Sequence, residues 1–161
     1  MEKTRTWFVR ELSERMEDEQ VRVNEIAHHC QISRDRINNY LQGRSLPNPL
    51  ILAKMADFLG CTINDLLDFD EADEDELVGY EPSSMFEDED EFMIHIRNRL
   101  ERYMIDSDIS IADLSEKSGI DKHTIKYWLC MLKRQPTLIR TSDLLRICDA
   151  LKCTPSDLLG Y

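Results

Sequence analysis

The 161 residues carry a net charge of −12, yet thirteen of the acidic residues fall within positions 68–91, where no basic residue occurs. The flanking ranges 1–67 and 92–161 are nearly neutral, so the overall acidity does not exclude a nucleic-acid partner. No run of about 18 apolar residues and no signal-peptide core are present, which predicts a cytoplasmic protein without membrane contact. The five cysteines lack Cys-x-x-Cys spacing. They are expected to be buried or half-buried thiols rather than disulfide or zinc ligands.

The same apolar pattern occurs twice along the chain. Leu12 and Ile37 in the first copy correspond to Leu100 and Ile125 in the second, an offset of 88 positions. The second copy then contains four additional residues before the correspondence resumes near Asp149. A long pattern present in only two copies indicates a duplicated domain rather than a solenoid.

In the first copy, helical spacing predicts a first helix over residues 5–17. Ser33 is a good N-cap for a third helix, and that helix should end near Gly43, which can adopt the left-handed conformation. Pro47 and Pro49 predict an extended connection before the fourth helix.

Together with the apolar spacing, the cap signals predict five helices in each copy. Thr62 is expected to cap the last helix of the first copy, and Asp121 the third helix of the second. Pro155 is expected to open the final helix, where proline is well tolerated. No strand pattern occurs, so the sequence predicts an all-α fold.

Several motifs carry a family resemblance in both copies. The first copy contains Glu25-Ile26-Ala27, Ile32-Ser33, Gly43 and Pro47, and the second contains Asp113-Leu114-Ser115, Gly119-Ile120-Asp121 and Pro136. These motifs resemble the Cro/repressor-type (XRE-like, lambda-repressor-fold) helix-turn-helix family. The resemblance implies two tandem five-helix domains, over residues 1–67 and 92–161, joined by an acidic linker over residues 68–91.

The resemblance further implies that the third helix of the first copy enters the major groove of double-stranded DNA. The side chains expected to read bases are Arg34, Asp35, Arg36, Asn38 and Asn39. Arginine can pair with guanine, and asparagine can pair with adenine. Arg22 and Arg44 are expected to contact phosphates. The alternative is that these residues form only the hydrated face of a surface helix.

The corresponding residues of the second copy form a basic surface that is suited to phosphate binding. They are Lys122, His123, Thr124, Lys126 and Tyr127, with Lys133 and Arg134 in the following loop. Lysine lacks the planar fork with which arginine recognises a base, so base readout by this copy stays open.

Apolar residues beside the third helices suggest a homodimer or another protein partner. Leu41 and Leu129 stand where this family usually has a glutamate. The loop of the second copy adds Leu132, Leu138 and Ile139. The alternative is that neighbouring loops cover these side chains within the domain.

We therefore expect a DNA-binding transcription regulator, a repressor of the phage or mobile-element type, with the acidic linker as a tether. The alternative is a protein-binding inhibitor on the same scaffold, either a phage antagonist of a host defence complex or an anti-repressor. In that case the linker would mimic DNA. No nucleophile–base pair or metal-ligand cluster is apparent, so an enzyme, a cofactor and a small-molecule substrate are not expected.

Overall fold

The computed structural model describes residues 2–69, 89–130 and 139–159. Over these ranges every regular element is an α-helix, which confirms the predicted all-α class. The chain divides into two compact units: unit 1 lies within residues 1–82, and unit 2 lies within residues 83–160.

Each unit contains five helices among its described residues, as the sequence predicts. Those of unit 1 are α1 (Glu2–Asp18), α2 (Val23–His29), α3 (Arg34–Leu41), α4 (Pro49–Leu59) and α5 (Ile63–Leu67). Those of unit 2 are α6 (Glu89–Asp106), α7 (Ile111–Ser118), α8 (Lys122–Leu129), α9 (Thr141–Leu151) and α10 (Pro155–Leu159).

The predicted N-caps are confirmed by hydrogen bonds to the first turns of the helices. Ser33 Oγ accepts from the Arg36 amide at 3.4 Å, and Thr62 Oγ1 accepts from the Asp65 amide at 3.1 Å. Asp121 accepts from the backbone of α8, with 2.8 Å to the nearer amide nitrogen. Each cap satisfies a helix-end amide that has no partner inside the helix.

Three helix starts differ from the sequence-based predictions. The first helix begins at Glu2 rather than near residue 5, and Pro49 is the first residue of α4 rather than part of the connection. The Asn48 side chain caps α4 by accepting from the Ile51 amide at 2.9 Å. Helix α6 begins at Glu89, inside the range predicted as linker. Acidic residues favour the first turn of a helix, because they complement its dipole.

Helix α4 forms the centre of unit 1, because eight of its eleven residues are buried. It packs against α2 and α5. Phe8 and Leu12 from α1 and Ile37 from α3 are fully buried in the same core. In unit 2 the corresponding helix α9 packs against α7 and α10.

The last helix of unit 1 is fastened to the first by polar contacts as well as by apolar packing. The Trp7 indole Nε1 donates to the Asp65 carbonyl oxygen at 3.0 Å. Arg15 lies between two carboxylates, with Nε at 2.7 Å from Glu11 Oε1 and a terminal nitrogen at 3.5 Å from Asp65 Oδ2. These contacts hold α5 against α1.

In unit 2 the first and last helices, α6 and α10, are also joined by polar contacts, but through different side chains. Arg99 Nε donates to the Asp157 carbonyl oxygen at 2.7 Å, and Asp157 occupies the place of Asp65 in the repeat. His95 Nε2 lies 3.1 Å from the Leu159 carbonyl oxygen. Burial and the neighbouring Arg99 guanidinium lower the pKa of His95 below its ordinary value. The hydrogen bond to Leu159 opposes this effect only in part.

Unit 2 is therefore expected to lose stability on acidification through His95. A histidine whose pKa is lowered by folding takes up its proton more readily in the unfolded chain. Its contribution is complete above the unfolded value of about 6.5 and is lost as the pH falls from there towards the folded value. His95→Gln keeps an amide donor for Leu159 but does not titrate in this range. The urea midpoint of the His95→Gln variant should therefore change less between pH 7.5 and pH 5.5 than that of the wild type.

The measurement is urea unfolding followed by Trp128 fluorescence in a Trp7→Phe background, where the remaining tryptophan reports on unit 2. His123→Gln is the matched control, because His123 is exposed in the same unit. An identical pH dependence in the His95→Gln variant and in the wild type would contradict the account.

Candidate nucleic-acid interface

The geometry of α3 follows from the two side chains that it buries. Ile37 is completely buried and Tyr40 is 5% exposed, so together they define the inner side of the helix. With 3.6 residues per turn, the opposite side is occupied by the set that we call the α3 face: Asp35, Asn38, Asn39 and Gln42.

The predicted base-reading residues all lie on or beside the α3 face, and they are not equivalent. Arg34, Asp35 and Asn38 are exposed, and Arg34 lies one turn before Asn38. Arg36 is exposed on the other flank, close enough to Tyr40 for its charge to affect that phenol. Burial raises the pKa of Tyr40, and Arg36 counteracts the rise. Arg34 and Arg36 therefore border the α3 face on opposite sides.

The two predicted phosphate-binding arginines lie at helix ends. Arg22 is the N-cap residue of α2, where its amide donates to Glu25 Oε2 at 2.7 Å and its side chain is exposed. Arg44 follows the left-handed Gly43 beyond α3, and its Nη1 donates to Asn39 Oδ1 at 3.2 Å. Asn39 itself is half-buried.

Helix α8 of unit 2 has an inner and an outer side like those of α3. Ile125 and Trp128 are buried on its inner side. The opposite side is the α8 face: His123, Lys126, Tyr127 and Cys130. Lys122 is exposed on one flank, and Thr124 is half-buried on the other. The α8 face offers one lysine and two aromatic rings where the α3 face offers a carboxylate and two asparagines.

The apolar side chains predicted to form a protein interface differ in how far they are buried. Leu41 and Leu129 are half-buried, so part of each side chain is covered within its own unit. Ile139 is 1% exposed, so its assignment to an interface is wrong. Its side chain belongs to the core of unit 2. The other loop predictions, Leu132, Lys133, Arg134 and Leu138, lie outside the described residues.

Two residues on these faces were missed at the level of sequence. Gln42 is exposed and lies seven positions after Asp35, and Cys130 is exposed and lies seven positions after His123. A spacing of seven places residues on the same side of a helix, so helical periodicity would have identified both. The expectation that every cysteine is at least half-buried is wrong for Cys130.

The described residues contain neither a metal-binding cluster nor a membrane-spanning helix. Over 2–69, 89–130 and 139–159, no three His, Cys, Asp or Glu side chains are grouped to hold a metal ion. None of the helices in these ranges combines the length and apolar character needed to cross a membrane.

Comparison with known proteins gives one match. A family model described as the Cro/C1-type HTH DNA-binding domain matches twice, at residues 11–72 and 99–161. Neither a search of curated proteins nor a search of solved structures gives a match. The two family matches contain α3 and α8, and therefore both faces described above.

Cys130 is expected to be the most reactive thiol of the chain. Cys30 and Cys148 are buried, whereas Cys61 and Cys153 are half-buried. Burial raises the pKa of Cys30 to about 12 and that of Cys61 to about 11. Thiols with such high pKa values hold little of the reactive thiolate near pH 8. Titration with a chromogenic disulfide should show one rapid equivalent, which Cys130→Ser removes and the control Cys61→Ser retains. A rapid phase that survives in Cys130→Ser would show that another cysteine is the reactive one, and a wild type without a rapid phase would show that Cys130 is covered.

Proposed function

Because the chain belongs to the Cro/C1-type helix-turn-helix DNA-binding family, we propose that it is a sequence-specific transcription regulator that reads DNA through α3. The α3 face and its two bordering arginines give this function its strongest support. Two of the eight side chains of α3 are buried, and four polar ones are exposed: Arg34, Asp35, Arg36 and Asn38. These side chains are of the types that recognise base edges in the major groove.

The two arginines favour base recognition over the alternative that this side of α3 is only a hydrated surface. The planar guanidinium group can donate two parallel hydrogen bonds to O6 and N7 of guanine. Arg34 lies in the first turn of α3, which is the part of a recognition helix that contacts bases. Arg22 at the start of α2 adds a cation suited to a phosphate, and such a contact sets position rather than sequence preference.

Unit 2 is proposed to add affinity more than sequence preference. Lys122 and Lys126 are exposed one turn apart on α8, and a lysine ammonium binds phosphate as a point charge. Two units on one chain can occupy one duplex together, and this raises the overall affinity without new contacts. Occupation of a promoter by both units would block transcription, so we propose that the regulator is a repressor.

A second candidate function is inhibition of another protein by DNA mimicry. Thirteen acidic residues and no basic residue lie between positions 68 and 91, a charge pattern suited to a basic, DNA-binding surface. In this case the protein would bind a partner protein tightly and duplex DNA only weakly.

Selection from a random-sequence duplex library tests both candidates. The proposed regulator should enrich one motif, and Arg34→Ala/Arg36→Ala should abolish the enrichment. Each lost guanine contact should cost about 1–3 kcal/mol of discrimination. Lys122→Ala/Lys126→Ala should instead weaken binding to all sequences, and should lower the salt slope by about 2 if both lysines contact phosphates.

Lys3→Ala/Arg10→Ala is the matched control, because it removes two exposed cations from unit 1 on a side of α1 away from Gly43. It should leave the motif unchanged. If the wild type enriches no motif and binds duplex only at low salt, DNA regulation is excluded. A tight complex between the protein and a DNA-binding protein would then favour the mimic.

A further inference from the structure

The chain turns sharply where α3 ends, and this turn places Arg44 beside the α3 face. The Arg44 amide donates to the Asn39 carbonyl oxygen at 3.0 Å, and the Gly43 amide donates to the Tyr40 carbonyl oxygen at 2.9 Å. These two bonds, with Gly43 at φ +66°, form a Schellman motif. A side chain at Gly43 would be strained by this φ, and its Cβ would lie 3.4 Å from Val9 Cγ2. The backbone position of Arg44 is therefore well determined.

The side chains of the same two residues are also joined. Arg44 Nη1 donates to Asn39 Oδ1 at 3.2 Å, so Arg44 is attached to Asn39 once through its backbone and once through its guanidinium. Arg44 remains exposed, whereas Asn39 is half-buried. The guanidinium group has five N–H donors in all, and most of them stay available for a ligand.

This arrangement is unfavourable for adenine recognition by Asn39. An asparagine that reads adenine accepts from the N6 amino group through Oδ1 and donates to N7 through Nδ2. In unit 1, Oδ1 already accepts from a cation, and the N6 hydrogens would approach that cation. Asn38 is exposed on the same face and lies one turn after Arg34, so it is better placed for this role.

We propose that Asn39 is a positioning residue, which holds the Arg44 guanidinium ready for a DNA phosphate at the edge of the major groove. This inference rests on the proposed function of α3. A free arginine loses side-chain entropy when it binds a phosphate, and the hydrogen bond to Asn39 reduces this loss before DNA arrives. Asn39 then contributes to affinity for every duplex and not to the choice of base.

A double-mutant cycle on the full chain tests the assignment. Asn39→Ala should weaken binding to all sequences by about twofold to tenfold, which is the cost of ordering one long side chain. Arg44→Ala should weaken binding at least as much and lower the salt slope by about one, because one phosphate contact is lost. The double variant should bind no more weakly than Arg44→Ala alone, since Asn39 acts only through Arg44.

Sequence preference provides the second readout. The motif that the library yields with Asn39→Ala should be that of the wild type, whereas Asn38→Ala, the matched neighbour, should relax one position. Asn39→Ser, which is too short to reach Arg44, should reproduce Asn39→Ala and guards against a local effect of alanine on the helix. Circular dichroism and thermal unfolding of each variant check that the helix content and the stability of the protein are retained.

Two results would overturn the inference while leaving the proposed function intact. One is a change of preferred base at a single position with Asn39→Ala. The other is additive losses in the double variant, since these would show that Asn39 acts independently of Arg44. If the wild type enriches no motif, the proposed function fails, and the assignment of Asn39 fails with it.

Discussion

The structure of each unit depends on the burial of two side chains by a helix of only eight residues. An isolated helix of this length is not stable in water, so α3 exists because Ile37 and Tyr40 pack into the core and Ser33 caps its first turn. The same constraint fixes which residues face outward, because the buried side chains determine how the helix is rotated about its own axis. The composition of the α3 face is therefore a consequence of how the core is built.

The two units conserve this arrangement while they differ in the polar chemistry around it. Unit 1 fastens its last helix through Trp7 and Arg15, whereas unit 2 uses Arg99 and His95 for the same purpose. Both solutions satisfy a carbonyl oxygen of the last helix, a group that has no partner within a short helix. The duplicated chain has thus retained the apolar positions of its helices, and at this contact unit 2 has a titrating histidine, His95, where unit 1 has Trp7.

Local signals in the sequence predicted much of the fold, and contacts between distant residues account for most of what they missed. Caps such as Ser33 and Asp121 could be recognised because the capping residue and its amide lie within three positions of each other. The start of α6 could not be placed, because acidic residues are common both in linkers and in the first turn of a helix. Ile139 was misassigned because burial depends on tertiary packing. The hydrogen bond between Asn39 and Arg44 crosses a glycine turn whose geometry only the structure supplies.

Methylation protection of guanine N7 is the sharpest test of whether α3 occupies the major groove, because N7 lies in that groove. On a duplex that carries the enriched motif, the wild type should protect specific guanines, and Arg34→Ala should restore their reactivity. Protein bound to this duplex with every N7 fully reactive would contradict the account and would place the contacts on the backbone or in the minor groove.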